Sequence, residues 1–104
     1  MRRFAFKMRL KAGAAAEYKK RHDELWPELA ALIRSTGVSD YSIFLDEETN
    51  ILFAVQKQEG SSSSQDLGGL EIVQRWWAYM ADIMETHPDT SPVSVPLVEM
   101  FHLD

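Results

Sequence analysis

Cysteine is absent from this chain, which removes disulfides and thiolate chemistry and leaves the compartment undecided by that criterion. No apolar run approaches the roughly 18 residues of a membrane-spanning helix. Met1-Arg2-Arg3 has the charge of a secretory leader, but Lys7 and Arg9 interrupt the apolar stretch that would have to follow. The expectation is a cytoplasmic protein with no membrane partner. Clustered positive charge is missing as well. The formal net charge is −5 and the one basic block is Lys19-Lys20-Arg21, so nucleic acid is not an expected partner, because phosphate binding leans on grouped cations. His22, His87 and His102 stand far apart, none with another histidine at i+3 or i+4, and no metal site is expected. There is no glycine-rich phosphate loop and no serine nucleophile elbow.

What is present fits one soluble domain over residues 1–104. A domain this small removes only about 60–70% of its unfolded surface from water, so self-association is plausible from size alone. Phe4, Phe6, Met8 and Leu10 alternate with mixed residues, the period of a strand with one apolar face. A first helix is expected from about Ala14 to Ser35, stopped by Gly37 and kinked or briefly broken at Pro27. Tyr41–Leu45 and Ile51–Val55 read as a hairpin around the polar turn Asp46–Asn50. Gly60 to Gly69 reads as a flexible connection, and a helical period returns from Leu70. Leu97–Leu103 reads as a last strand, apolar on both sides apart from Glu99 and His102.

The resulting order, β-α-β-β-α-β, is the ferredoxin-like split β-α-β arrangement, an α+β fold whose antiparallel sheet carries two helices on one face. The other face is left uncovered, with Phe44, Leu52, Ala5 or Met100 candidates for it. Large apolar residues on a bare face mark a partner. A homodimer packed sheet to sheet is the economical arrangement.

Two stretches carry the chemistry. In the first helix Tyr18, His22, Leu25, Leu29, Leu32 and Ile33 follow one helical face, so a phenol and an imidazole extend an apolar stripe. They are either core residues with satisfied partners or site residues. A kink at Pro27 would free the carbonyl near Asp23 and set His22 beside irregular backbone. In the second stretch, Trp76 and Trp77 differ by about 100° around a helix and cannot both face the core. One packs while the other closes an edge or interface, or one forms a flat wall against which the C–H face of a sugar stacks. His22, Tyr18, Tyr41 and the tryptophans suit proton transfer on a neutral polar ligand better than nucleophilic attack.

Several motifs, in order and along nearly the whole chain, resemble those of the L-rhamnose mutarotases. They are Glu17-Tyr18 with Arg21-His22, Trp26-Pro27-Glu28-Leu29, Asp40-Tyr41-Ser42-Ile43, Asn50-Ile51-Leu52-Phe53-Ala54, Gln74-Arg75-Trp76-Trp77-Ala78-Tyr79-Met80 and Glu99-Met100-Phe101-His102-Leu103. The resemblance implies a dimeric α+β barrel, a cofactor-free isomerase interconverting α- and β-L-rhamnopyranose, and a cytoplasmic place in rhamnose use. It implies His22 as proton donor and Tyr18, Tyr41, Trp76 and Trp77 as sugar-binding residues. The family usually starts its second helix with an acidic, tryptophan-containing segment, where this chain has Gly60 to Gly69. The general base stays open among a tyrosine, a carboxylate such as Asp23, or water. Without the resemblance, a cofactor-free monooxygenase or haem-handling enzyme, or a non-catalytic ligand-binding dimer, fits the same architecture.

Overall fold

Alternation in the first ten residues sets the sheet. β1 (Arg2–Arg9) lies between β3 (Ile51–Gln58) and a short β4 (Val95–Pro96), and β2 (Val38–Asp46) pairs with β3 on the far side, giving the order β2-β3-β1-β4, antiparallel throughout. The computed structural model describes residues 2–60 and 63–104; Met1, and Ser61-Ser62 of the serine-rich connection, lie outside the described residues. Phe6 opposes Ala54 and Met8 opposes Leu52, so these four side chains share one face, and all are buried.

That face receives every α-helix. The first expected helix is two: α1 (Ala15–Asp23) and α2 (Pro27–Ser35). Pro27 has no N–H to give Asp23 and biases Trp26 to extended angles; Trp26 adopts φ −57°, ψ 125° as the residue capping α2. Proline at the first position of a helix costs nothing there, since that N–H lacks a partner anyway. α3 (Glu71–Met80) presents Val73, Trp76 and Met80 to the core. Ile83 and Met84, beyond its end, are buried in the same cluster.

Two expectations need correction. Leu52 is on the helix side, 1% exposed; the uncovered face instead carries Ala5, Phe44, Phe53 and Val55, as the pairings Phe44 with Phe53 and Ala5 with Val55 require. The last strand is also not Leu97–Leu103. Pairing stops at Pro96, apart from Leu97 N–H donating to the Ala5 carbonyl at 2.9 Å. Beyond it Val98, Met100, Phe101 and Leu103 are each at least 79% exposed. Alternating apolar residues form a strand only where an edge receives them, and within one copy this tail is tethered by polar contacts, Arg3 to Glu99 and Arg3 to His102, both at 3.3 Å.

Leu52 sits at the centre of the helix-side core, so Leu52→Ala should cost about 2–5 kcal/mol of stability, read by urea denaturation. Glu48→Ala, in the exposed turn between β2 and β3, should stay within about 0.5 kcal/mol of the parent.

Candidate active site

Between the core face of the sheet and the helices lies a cleft of about 890 Å³, a volume typical of small-molecule sites. Tyr18, His22, Tyr41, Trp76 and Trp77 all line it. The sequence places these five on three elements, and the fold brings them to one cavity. Leu29, Ile33, Ile43 and Leu45 supply apolar wall, while Ser64 and Gln65 add polar groups from the connection before α3.

On α1, Tyr18 and His22 are one turn apart and stack, ring centroids 4.3 Å apart and planes 29° from parallel. The His22 Nδ1 lies 3.0 Å from the Tyr18 main-chain oxygen. A carbonyl oxygen only accepts, so Nδ1 carries a proton and Nε2 is the nitrogen whose protonation varies. Burial pushes the His22 pKa below the ordinary histidine value, opposed by the Tyr18 carbonyl contact and by the Asp23 charge. The ring is therefore neutral at pH 7. Burial pushes the Tyr18 phenol far up, with the neighbouring Tyr41 adding to the shift. Tyr41 is likewise raised by burial, partly offset by Ser64. Both stay phenols at neutral pH and can donate hydrogen bonds.

Tyr41 owes its direction to a bulge in β2. Val38 pairs with Gln58 and Ser39 with Lys57, but Ser42 pairs with Val55, so Asp40 and Tyr41 together oppose one residue of β3. Asp40 takes up the extra length at φ +47°, a conformation aspartate tolerates better than most residues. Successive side chains alternate faces, so in a regularly paired strand Val38 and Tyr41, three residues apart, would point to opposite sides. With the extra residue, Val38 is buried and Tyr41 joins Ile43 and Leu45 facing the cleft.

Of the adjacent tryptophans, Trp76 is the buried one and Trp77 is half-buried. Trp76 meets His22 edge-on at 5.5 Å and Trp26 edge-on at 5.1 Å. Trp26 in turn stacks on Tyr79 at 5.8 Å. Arg21 closes this aromatic group from outside. Its guanidinium lies 4.4 Å over the Tyr79 ring, donates to Glu17 at 2.7 Å and forks onto Asp82 at 2.8 and 3.2 Å.

Not legible in the sequence were Ser64 and Gln65 as lining residues, and Gln56 and Gly68 as the residues beneath Ser64 and Trp77. A 3-10 turn, Ser64–Asp66, is held by a reciprocal cap between Ser63 and Asp66. The buried Gln56 donates to the Ser64 hydroxyl at 2.8 Å and accepts from the Ser64 N–H at 2.9 Å, anchoring the turn to the sheet. The Ser63-x-x-Asp66 spacing was the available signal. Gly68 lies beneath Trp77: a Cβ there would sit 2.8 Å from Trp77 Cζ3. Among the described residues no group of three or more His, Cys, Asp or Glu is arranged to hold a metal ion, and no helix is long and apolar enough to cross a membrane.

The L-rhamnose mutarotase family model matches residues 3–103. The chain belongs to the L-rhamnose mutarotase family. It is 67% identical to the L-rhamnose mutarotase of Bacteroides thetaiotaomicron over 104 residues, spanning all of both chains. It is 59% identical over the full length of both chains to that of Formosa agariphila. A crystal structure of an L-rhamnose mutarotase from Formosa agariphila superposes with a TM-score of 0.93, covering all of both chains at 56% identity. Mutarotases interconvert sugar anomers and are therefore isomerases. The monooxygenase, haem-handling and non-catalytic readings give way to that one.

Gly68→Ala should displace the Trp77 ring, costing about 1–3 kcal/mol and shifting tryptophan emission. Gly69→Ala, whose Cβ would meet nothing within 4 Å, should leave emission unchanged.

Proposed function

We propose that this domain interconverts the α- and β-anomers of L-rhamnopyranose by opening and reclosing the ring, with His22 delivering the proton to the ring oxygen. Tyr18, Tyr41, Trp76 and Trp77 bind the sugar: phenols donate hydrogen bonds to its hydroxyls, and an indole face packs against its C–H face. The observation that carries the reading is the His22 ring, held between Tyr18 and Trp76 at the wall of a cleft with apolar and hydroxyl-bearing sides. Ring opening needs a proton placed on one oxygen and removed from another, with no redox change and no group transferred. A single positioned acid contributes about 10²–10⁴-fold, some 3–5 kcal/mol of barrier, useful for a reaction that already proceeds in water.

The working molecule on this reading is a cytoplasmic homodimer. Ala5, Phe44, Phe53 and Val55 on the face without helices, together with the exposed Val98, Met100, Phe101 and Leu103, support a second copy as the cover. Polar rims suit such a contact, and Lys7, Arg9 and Lys57 border the patch.

Exchange NMR on the rhamnose anomers tests the reaction. His22→Asn, which keeps a hydrogen-bonding side chain but no acid, should slow exchange by about 10²-fold or more while sugar affinity, read by tryptophan fluorescence, falls much less. A folded variant with the parental rate would assign the proton transfer to another group.

Sedimentation at micromolar concentration should give a mass of two chains. Phe44→Glu combined with removal of residues 98–104 should return the monomer.

A further inference from the structure

Resting on the anomer-exchange reading above, we infer that His22 is also the general base: Nε2 takes the proton from the anomeric hydroxyl and hands that same proton to the ring oxygen. Both oxygens are bonded to the same carbon, so one nitrogen lying against that carbon reaches each in turn. No second acid–base residue is required.

The geometry around His22 carries this. Nδ1 is committed to the Tyr18 carbonyl at 3.0 Å and keeps its proton in both ionisation states, which leaves Nε2 as the nitrogen that gains and loses one. The other candidates for base are already engaged. Asp23, beside His22 on α1, is held by Lys19 at 2.8 Å. Asp40, on β2, lies 3.5 Å from Lys57. Glu17 and Asp82 are both bound to Arg21. Glu47 reaches the cleft only from the solvent-exposed turn after β2. Tyr18 and Tyr41 face the same cavity as phenols raised by burial, suited to donate hydrogen bonds and not to accept a proton. Trp76, packed on the third side, has no titratable group.

The steps balance. Neutral Nε2 removes the O1 proton as the C1–O5 bond breaks and C1=O1 forms. The resulting imidazolium protonates O5, giving the open aldehyde and a neutral ring. Rotation about C1–C2 presents the other face of the aldehyde. Nε2 then takes the O5 proton as O5 attacks C1, and returns it to O1. Nothing is oxidised or reduced. The hydroxyls of Tyr18 and Tyr41 stabilise the oxygen charge in between without giving up their protons.

Three measurements on the intact protein decide the matter, all by exchange NMR on rhamnose. The rate against pH should be flat near neutrality and fall as pH drops through the lowered His22 pKa, because protonation removes the base. A rate that instead falls as pH rises through that ionisation would make the imidazolium the starting form and overturn the proposal. In mixtures of H2O and D2O the rate should vary linearly with deuterium fraction, one proton moving at a time; a bowed dependence means two protons in flight and overturns it too. Tyr18→Phe and Tyr41→Phe should raise KM with kcat reduced less than about 10-fold, and Asp23→Asn should lower kcat by less than about 10-fold too, through the loss of its charge beside His22. A loss in any of these three as deep as in His22→Asn would name that residue as the second acid–base group. If the parent protein fails to accelerate rhamnose exchange at all, the anomer-exchange reading itself is overturned, an outcome separate from the others.

Discussion

Arg21 holds α1 in place, and most of the site depends on α1. That helix has a weak apolar face of its own: Tyr18 is its one buried residue. A helix of nine residues is also too short to be stable in isolation. What fixes it is a guanidinium that reaches from α1 to the end of α3, bonding the Tyr79 carbonyl and the Asp82 carboxylate while covering the Tyr79 ring. Arginine suits this role because its planar fork meets a carboxylate in two places and its flat face lies on an aromatic ring. Lysine could supply the charge but not both contacts. The clamp sets the distance between α1 and α3, and with it the edge-on meeting of His22 and Trp76.

Pro27 plays the complementary part. A continuous helix through Ser35 would carry α2 along the line of α1, leaving no choice in how each meets the sheet. The break at Glu24–Trp26 lets α2 bury Leu29 against the core while α1 keeps its polar end at the cleft. It also lets Trp26 turn back to reach both Trp76 and Tyr79. The sheet and α3 thus supply most of the buried core, while Tyr18 and His22 sit on a helix with one buried residue of its own.

Much of this was readable beforehand. The period-2 run from Phe4 and the helical stripe from Tyr18 to Ile33 name the buried faces directly, since burial is what such periods record. The helix break at Pro27 follows from a missing N–H. Less legible was anything decided by contacts distant in sequence. Gln56 reads as a polar residue ending an apolar strand, and nothing local says that it will be fully buried and bonded to Ser64. Leu97–Leu103 misled for a related reason: an apolar run records that residues belong out of water but not which chain covers them. The grouping of Tyr18, His22, Tyr41, Trp76 and Trp77 as a set came from family resemblance, because spacing alone links only the neighbours on one helix.

The bulge at Asp40 makes the length of β2 as consequential as its composition. Removing Ser39 or Asp40 would restore simple alternation with Tyr41 opposite Gln56, still on the helix side. Removing a single residue between Tyr41 and the turn after Asp46 would instead restore it by sending Tyr41 to the side without helices. Adding one would do the same to Val38 or to Tyr41, depending on where the chain absorbed it. Substitutions there can be graded by size and polarity, whereas a shift in count is all or nothing. Descendants of this sequence can therefore change side chains at Ser39 or Ser42 and could lose the bulge at Asp40, but the number of residues from Tyr41 to the turn after Asp46 must hold for Tyr41 to stay on the cleft side.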